Sequence, residues 1–553
     1  MNRGPYAFVR GATLLAAASL FSRLLGGLAR IPLTRLLGGE GMGLFQMSYV
    51  LYGLAITFSV SGLTVATSRL VAEALAHERP REAWGVLGRA LLLGLLSGLA
   101  FWVILDRGAV FLAGKVLGDE RAAAALRAVA PAVVPVSLIS ALKGYFQGHQ
   151  DMAPTSSSQV VEQVVRVAAM LLVVWALQGG EVGAVVGGVA YGNLVGAGGA
   201  LVFLVLMLDR RRGREPGARG GRRLDRVRPP GPSRLVLPPR SSATTGRILG
   251  LALPVTMGAV VMPLMDAMQT FLIPGRLQAA GFDPRQATYL YGQLHGMAFP
   301  LAGLPAIAAS AMAAALVPAI ADALARGAAA QVQSRISTAL RLTVLLSLPA
   351  TIGLLVLAAP LNQMLFGIPE AGIPLLYVSA ACLLIAVQQT TAGVLQGLGL
   401  VSVPVYGLAA GLAANTAVTY YLTAIPALGI NGAALGIVAG FGVAAAVNLV
   451  MVVRRTGLRL DATSLLVRPA VATGVMALVA ILAHGWLTAA GLGCTVATCS
   501  TVAVAALTYA AALVAVGGIR AAEVEFLPAV GRRLAALLTR WGRPEEAAPF
   551  WPP

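Results

Sequence analysis

Ser19-Leu-Phe-Ser-Arg23-Leu-Leu-Gly-Gly-Leu-Ala-Arg30-Ile-Pro32 lies inside the first apolar segment long enough to cross a bilayer. A guanidinium keeps its proton at any ordinary pH, so two of them at membrane depth cost several kcal/mol unless they face a wet cavity or an anionic partner. Arg23 and Arg30 are seven residues apart, about 20° short of two full helical turns, so they share one face. Ser19, Gly26 and Thr34 fall on that face as well. A polar, small-residue stripe of this kind suits the wall of an aqueous pocket better than contact with lipid. The stretch therefore predicts a bundle of membrane helices around a polar cavity.

The rest of the chain has the composition such a bundle needs. Of 553 residues, 58% are hydrophobic and 11% charged, with mean hydropathy +0.80, far outside the soluble globular range. The net charge of +19 would suit nucleic acid, but the basic residues cluster in a few loops with no interleaved aromatic recognition stretch. No nucleic-acid partner is expected. Lys115 and Lys143 are the only lysines. The three cysteines, Cys382, Cys494 and Cys499, sit in apolar segments without metal-ligand spacing and read as small buried hydrophobes. Arg3 and Arg10 precede an apolar stretch too long for a signal peptide, which predicts an uncleaved first helix.

Apolar stretches of membrane length number fourteen, at 11–37, 43–68, 84–105, 122–147, 154–178, 182–208, 247–274, 287–324, 334–360, 371–398, 402–424, 428–453, 464–489 and 493–518. With the N-terminus in the cytoplasm, 31 of the 41 basic residues fall on the cytoplasmic side and 7 outside. Positive loops stay inside, so both termini are expected in the cytoplasm. The arginine-, glycine- and proline-rich stretch 209–246 reads as a basic linker, with an affinity for anionic lipid head groups as a further expectation.

The linker divides the chain into an N-terminal lobe of six helices (1–208), a C-terminal lobe of six (247–455), two extra helices (456–519) and a cytoplasmic tail (520–553). The lobes look related. Leu142-Lys-Gly-Tyr-Phe-Gln-Gly148, with Pro154 opening the next helix, echoes Thr391-Ala-Gly-Val-Leu-Gln-Gly397 followed by Pro404. Leu70-Val-Ala-Glu-Ala-Leu75 echoes Val317-Pro-Ala-Ile-Ala-Asp-Ala-Leu324. Offsets of about 249 and 248 residues predict one duplication of a six-helix unit. An even number of helices per unit gives parallel repeats around a central cavity. The fold class expected is all-α and polytopic.

Glu162 and Arg166 stand at i, i+4 in the fifth segment, where they either neutralise each other or leave Arg166 to join Arg23 in holding a phosphate. Asp266 is the one deep acid of the seventh segment, with Gln269 and Thr270 on its face, and reads as an ion pair or as a cation- or proton-coupling group. Ser19, Thr34, Gln163, Gln269 and Asn415 are the candidate polar groups of the cavity; Asn193, Asn415, Asn448, Gln388 and Gln389 also suit hydrogen bonds between helices. Prolines at 131, 135, 254, 263, 300, 305 and 318 predict bends. No metal-ligand spacing, phosphate-cradling loop or nucleophile-and-base pair is evident, so catalytic residues, metals and cofactors are not expected.

The segments Phe21-Ser-Arg-Leu-Leu-Gly-Gly-Leu-Ala-Arg30, Leu37-Gly-Gly-Glu-Gly-Met-Gly-Leu-Phe45 and Lys143-Gly-Tyr-Phe-Gln-Gly148, with the run from Pro154 to Arg166, resemble the polysaccharide-biosynthesis and stage V sporulation protein B branch of the multidrug/oligosaccharidyl-lipid/polysaccharide exporter superfamily. That branch is similar to the lipid II flippases. The resemblance implies a monomer in the bacterial cytoplasmic membrane that moves an undecaprenyl-pyrophosphate-linked saccharide outward by alternating access, with Na+ or H+ as the possible coupling ion. It also implies that Arg23 and Arg30 bind the pyrophosphate, with Arg166 standing in for a second-helix arginine that has no match here. Two alternatives are a cation-coupled multidrug antiporter of the same superfamily, which would prefer acidic cavity residues, and an intramembrane glycan ligase, which would need a base near a long outer loop.

Overall fold

A computed structural model describes residues 5–177, 180–212, 244–458 and 461–518. Helix dominates and no strand occurs among them. Most of the expected linker and all of the tail lie outside the described residues. The helices are α1 (Pro5–Ala76), α2 (Pro80–Phe111), α3 (Ala122–Val129), α4 (Val133–Gly148), α5 (Ala153–Ala176), α6 (Val182–Arg212), α7 (Thr244–Ala259), α8 (Val261–Ala279), α9 (Pro284–Tyr291), α10 (Phe299–Gly303), α11 (Ala306–Ala325) and α12 (Ala329–Val356). They continue with α13 (Ala358–Phe366), α14 (Gly372–Val378), α15 (Ala380–Gly397), α16 (Ser402–Leu422), α17 (Ile430–Thr456), α18 (Arg468–Ala489) and α19 (Cys494–Ala515).

Among the described residues ten helices are long and apolar enough to cross a membrane, or up to twelve if each of two bent pairs is one span. The protein is a multi-pass all-α membrane protein. Each of the fourteen expected stretches falls on helix, although the first two share the single run Ala17–Ala76. That run is broken at Gly38 (φ 65°, ψ −175°), a left-handed conformation that glycine adopts without a Cβ clash. Proline marks other interruptions. Pro131 sits in the short 3-10 turn between α3 and α4, and Pro305 precedes α11. α7 and α8 meet at a 49° bend, α14 and α15 at 46°.

Two compact units emerge from the contacts, one of Met1–Leu37 and Leu44–Thr270, the other of Gly38–Gly43 and Phe271–Pro553. In the first, Leu63, Leu70, Val86, Leu142, Tyr145, Phe146 and Leu204 form the core between α1, α2, α4 and α6. In the second, Leu316, Ile320, Ile336, Leu340, Val394 and Val452 do the same for α11, α12, α15 and α17. α18 and α19 pack on each other and on α12. Arg341 donates to the Gly518 carbonyl at 2.6 Å and Arg468 to that of Gly517 at 2.8 Å, so two cations meet the negative end of α19. Cys382 is buried as expected, whereas Cys494 and Cys499 are exposed, because α19 is a peripheral helix with one free side.

The duplication expected from the sequence recurs as contacts. In the first unit a Cβ on Gly144 would lie 2.7 Å from the Thr64 carbonyl, and one on Gly148 would lie 2.7 Å from those of Ser68 and Val71 Cβ. In the second, Gly393 meets Ala313 at 2.8 Å, and Gly397 meets Ile320 Cβ at 2.9 Å and the Val317 carbonyl at 3.0 Å. Every partner in the second set is its counterpart in the first plus 249. Small residues let the two backbones touch, the usual means of helix association in lipid.

Candidate functional site

The arginine stripe of α1 runs along α5. Ser19 Oγ donates to Gln159 Oε1 at 3.2 Å, and a Cβ on Gly26 would stand 2.8 Å from Gln163 Nε2. These two contacts fix the face of α1 that carries Arg23 and Arg30, because Arg23 lies between Ser19 and Gly26 and Arg30 one turn beyond. Arg23 is exposed and, among the described residues, forms no ion pair. Arg30 is partly buried and donates to Gln46 Oε1 at 3.0 Å, with Tyr49 also within its electrostatic reach. Gln46 and Tyr49 follow the Gly38 break, so the kink folds the next stretch of α1 back toward the arginine.

On α5 the Glu162 carboxylate bridges two cations. Its Oε1 is 3.8 Å from Arg166 Nη1 and its Oε2 is 3.7 Å from Lys143 Nζ of α4. Side chains of all three are about one-fifth exposed, at 20% for Lys143 and Glu162 and 22% for Arg166. Arg166 also donates to Gln163, whose amide therefore stands between Arg166 and Gly26. Tyr52 is buried within electrostatic reach of Glu162 and Arg166. The result is a group of charges on α1, α4 and α5 in which Lys143 and Arg166 share the Glu162 carboxylate, while Arg23 and Arg30 lie on the face of α1 that meets α5. Its excess of positive charge suits an anion with several oxygens, and Arg forks match phosphate geometry.

The Glu162 and Arg166 pair expected from the i, i+4 spacing forms, and Gln163 sets it beside the α1 stripe. Lys143 was missed as a site residue. Counted as a cytoplasmic loop charge, it stands instead on α4, and its place in the Lys-Gly-Tyr-Phe-Gln-Gly motif was the available signal. Gln159, Gln46 and Tyr52 were missed too; Gln159 shares a helical face with Gln163 and could have been read from the period.

Several expected cavity groups sit elsewhere. Thr34 is fully buried rather than facing solvent. Asn415, readable either as a cavity group or as a contact between helices, is buried against Gly436 and Gly440 of α17, with Thr419 donating to its Oδ1 at 3.0 Å, because a small-residue helix pair closes over it. Gln269 is buried with no hydrogen bond to its Oε1 among the described residues. Asp266 is exposed on α8 and forms no ion pair among the described residues. No group of three or more metal-ligating side chains occurs among the described residues.

Residues 8–324 match the family model described as polysaccharide biosynthesis protein. Stage V sporulation protein B of Bacillus subtilis (strain 168) is 30% identical over 435 residues, 78% of this chain and 81% of that one. Lipid II flippase MurJ of the same organism is 26% identical over 479 residues, 81% of this chain and 83% of that one. A solved structure of lipid II flippase MurJ in an inward closed conformation shares the fold at a TM-score of 0.66, with 13% identity, across 90% of this chain and 98% of the other.

Proposed function

The chain belongs to the polysaccharide biosynthesis protein family, and from that premise we propose that it is a flippase for an undecaprenyl-pyrophosphate-linked saccharide, a peptidoglycan precursor of the lipid II kind or a polysaccharide unit. The observation that carries this reading is Glu162 held between Lys143 and Arg166, beside the α1 face that bears Arg23 and Arg30, on helices long and apolar enough to cross a membrane. Pyrophosphate is the part of such a substrate that all saccharides share, and it is the part a cationic cluster can hold. The polyprenyl tail stays in lipid, which removes most of the cost of moving it. The pyrophosphate docks on Arg23 and Arg30, with Lys143 and Arg166 completing its neutralisation, and alternating access exposes the site first to the cytoplasm and then to the outside. Each charge-assisted hydrogen bond contributes about 1.5–3 kcal/mol.

No covalent chemistry is required of the protein. Coupling to Na+ or H+ is assigned in this proposal to Asp266, the exposed acid of α8. The test is reconstitution of purified protein in vesicles carrying a fluorescent undecaprenyl-pyrophosphate disaccharide, with leaflet exposure read by an impermeant modifying reagent. Movement of the lipid above protein-free vesicles is expected. Failure to move it, together with efflux of cationic drugs from the same vesicles, would replace this reading by the multidrug antiporter.

A further inference from the structure

The charged trio of the first unit has an internal control in the second. Adding 249 to Lys143, Glu162 and Arg166 gives Ala392, Gly411 and Asn415, so the second unit carries none of the three charges. The local packing is nevertheless the same. A Cβ on Gly196 of α6 would lie 2.9 Å from the Glu162 carbonyl oxygen and 2.6 Å from Arg166 Cβ. A Cβ on Gly440 of α17 would lie 2.9 Å from the Gly411 carbonyl oxygen and 2.8 Å from Asn415 Cβ. The preceding helix follows suit, with Gly144 and Gly148 of α4 matched by Gly393 and Gly397 of α15.

This helix arrangement is therefore built once with the trio and once without it. Partly burying three ionised groups carries a desolvation cost. In the second unit the same backbone contacts form with no such cost. The trio is not needed to assemble the helices, and its function has to be sought in the charges themselves.

Its geometry is loose. At 3.7 and 3.8 Å the carboxylate lies well beyond the roughly 2.7–2.9 Å of a good charge-assisted hydrogen bond. Groups facing it are Lys143 from α4, Arg166 from α5 and Tyr52 from α1. A phosphate offers the same two cations more oxygens and more charge. A transporter also has to release its cargo, so a site whose cations had no counter-charge would hold pyrophosphate too long.

We propose that Glu162 is a displaceable counter-charge, occupying Lys143 and Arg166 when the site is empty, yielding them to the substrate pyrophosphate, and competing for them again so that the substrate leaves. This deepens the flippase reading and rests on it. Glu162 is a positioning residue on this account, not a substrate ligand.

The experiment compares the full-length protein with Glu162→Gln, Glu162→Asp and Lys143→Met, by calorimetric binding of inorganic pyrophosphate in detergent and by flipping kinetics in vesicles. Glu162→Gln is expected to bind pyrophosphate about tenfold tighter and to lower KM and kcat together, the signature of slow release. Glu162→Asp restores near-normal kinetics, and Lys143→Met binds more weakly than the wild type. All three should fold, given how the second unit packs; thermal unfolding checks this, and the Lys143→Met result stands if Glu162→Gln does not fold. If the wild type flips lipid while Glu162→Gln binds pyrophosphate no tighter, or if Lys143→Met binds as well as the wild type, the counter-charge is refuted and the flippase stands. If the wild type neither flips lipid nor binds pyrophosphate, both fall.

Discussion

Arg23→Ala separates binding from folding more cleanly than any other change in the cluster. Arg23 is exposed and forms no ion pair among the described residues, so its truncation removes little that the folded state uses. Surface changes of that kind stay within about 0.5 kcal/mol. If Arg23 holds pyrophosphate, the same truncation removes a charge-assisted contact of about 1.5–3 kcal/mol. At about 1.4 kcal/mol per tenfold, kcat/KM for lipid flipping should fall by about 10- to 150-fold. Arg23→Lys keeps the charge and loses the fork, so it should fall between the two. Arg30→Ala is less clean, because it also leaves Gln46 without its donor. The assay is initial flipping rate against substrate density in vesicles, paired with thermal unfolding of each variant in detergent. Wild-type kinetics in a normally folded Arg23→Ala would refute the assignment of Arg23 to the substrate.

Four further outcomes follow from the packing and the charges. Gly62→Ala puts a Cβ about 2.0 Å from the Ala252 carbonyl oxygen, where the Gly62 N–H also donates to Thr256 Oγ1 at 3.1 Å; two backbones have to part, and thermal unfolding should show a loss of about 1–3 kcal/mol. Gly27→Ala meets nothing within 4 Å and should be neutral or stabilising by up to about 1 kcal/mol. Arg341→Met removes the buried donor to the Gly518 carbonyl, costing about 1–3 kcal/mol and making the end of α19 more sensitive to limited proteolysis. The Asp461 carboxyl is held below its usual range by the Ser464 side chain first, and then by the backbone N–H groups of Thr463 and Ser464. A depressed folded value means that its contribution is present above the ordinary carboxylate range of about 4 and is lost as pH falls through the folded value. Amide exchange at the start of α18 should therefore stay slow at neutral pH and quicken in acid, and Asp461→Asn should abolish that acid-dependent change.

What the sequence could disclose depended on whether a signal ran along one helix or between two. Apolar length located the helices, because lipid imposes it segment by segment. It could not show that the first two stretches run on as Ala17–Ala76, since the break rests on the backbone angles of Gly38 alone. The seven-residue spacing placed Arg23 and Arg30 on one face, and Ser19 and Gly26 on that face do meet α5. Lys143 and Gln46 escaped the same logic, for period says nothing about a partner on another helix or beyond a kink. Asn415 stayed open between two readings because a polar residue facing a tight helix neighbour and one facing water have the same period. The duplication is the exception, a between-helix signal written in one chain. Its offset of 249 pairs Gly144 with Gly393 and Gly148 with Gly397, and their contacts match. The same offset pairs Lys143, Glu162 and Arg166 with Ala392, Gly411 and Asn415. Where two copies keep their packing residues and differ in three charges at once, packing does not account for the difference, and the charges themselves are what a functional test has to vary.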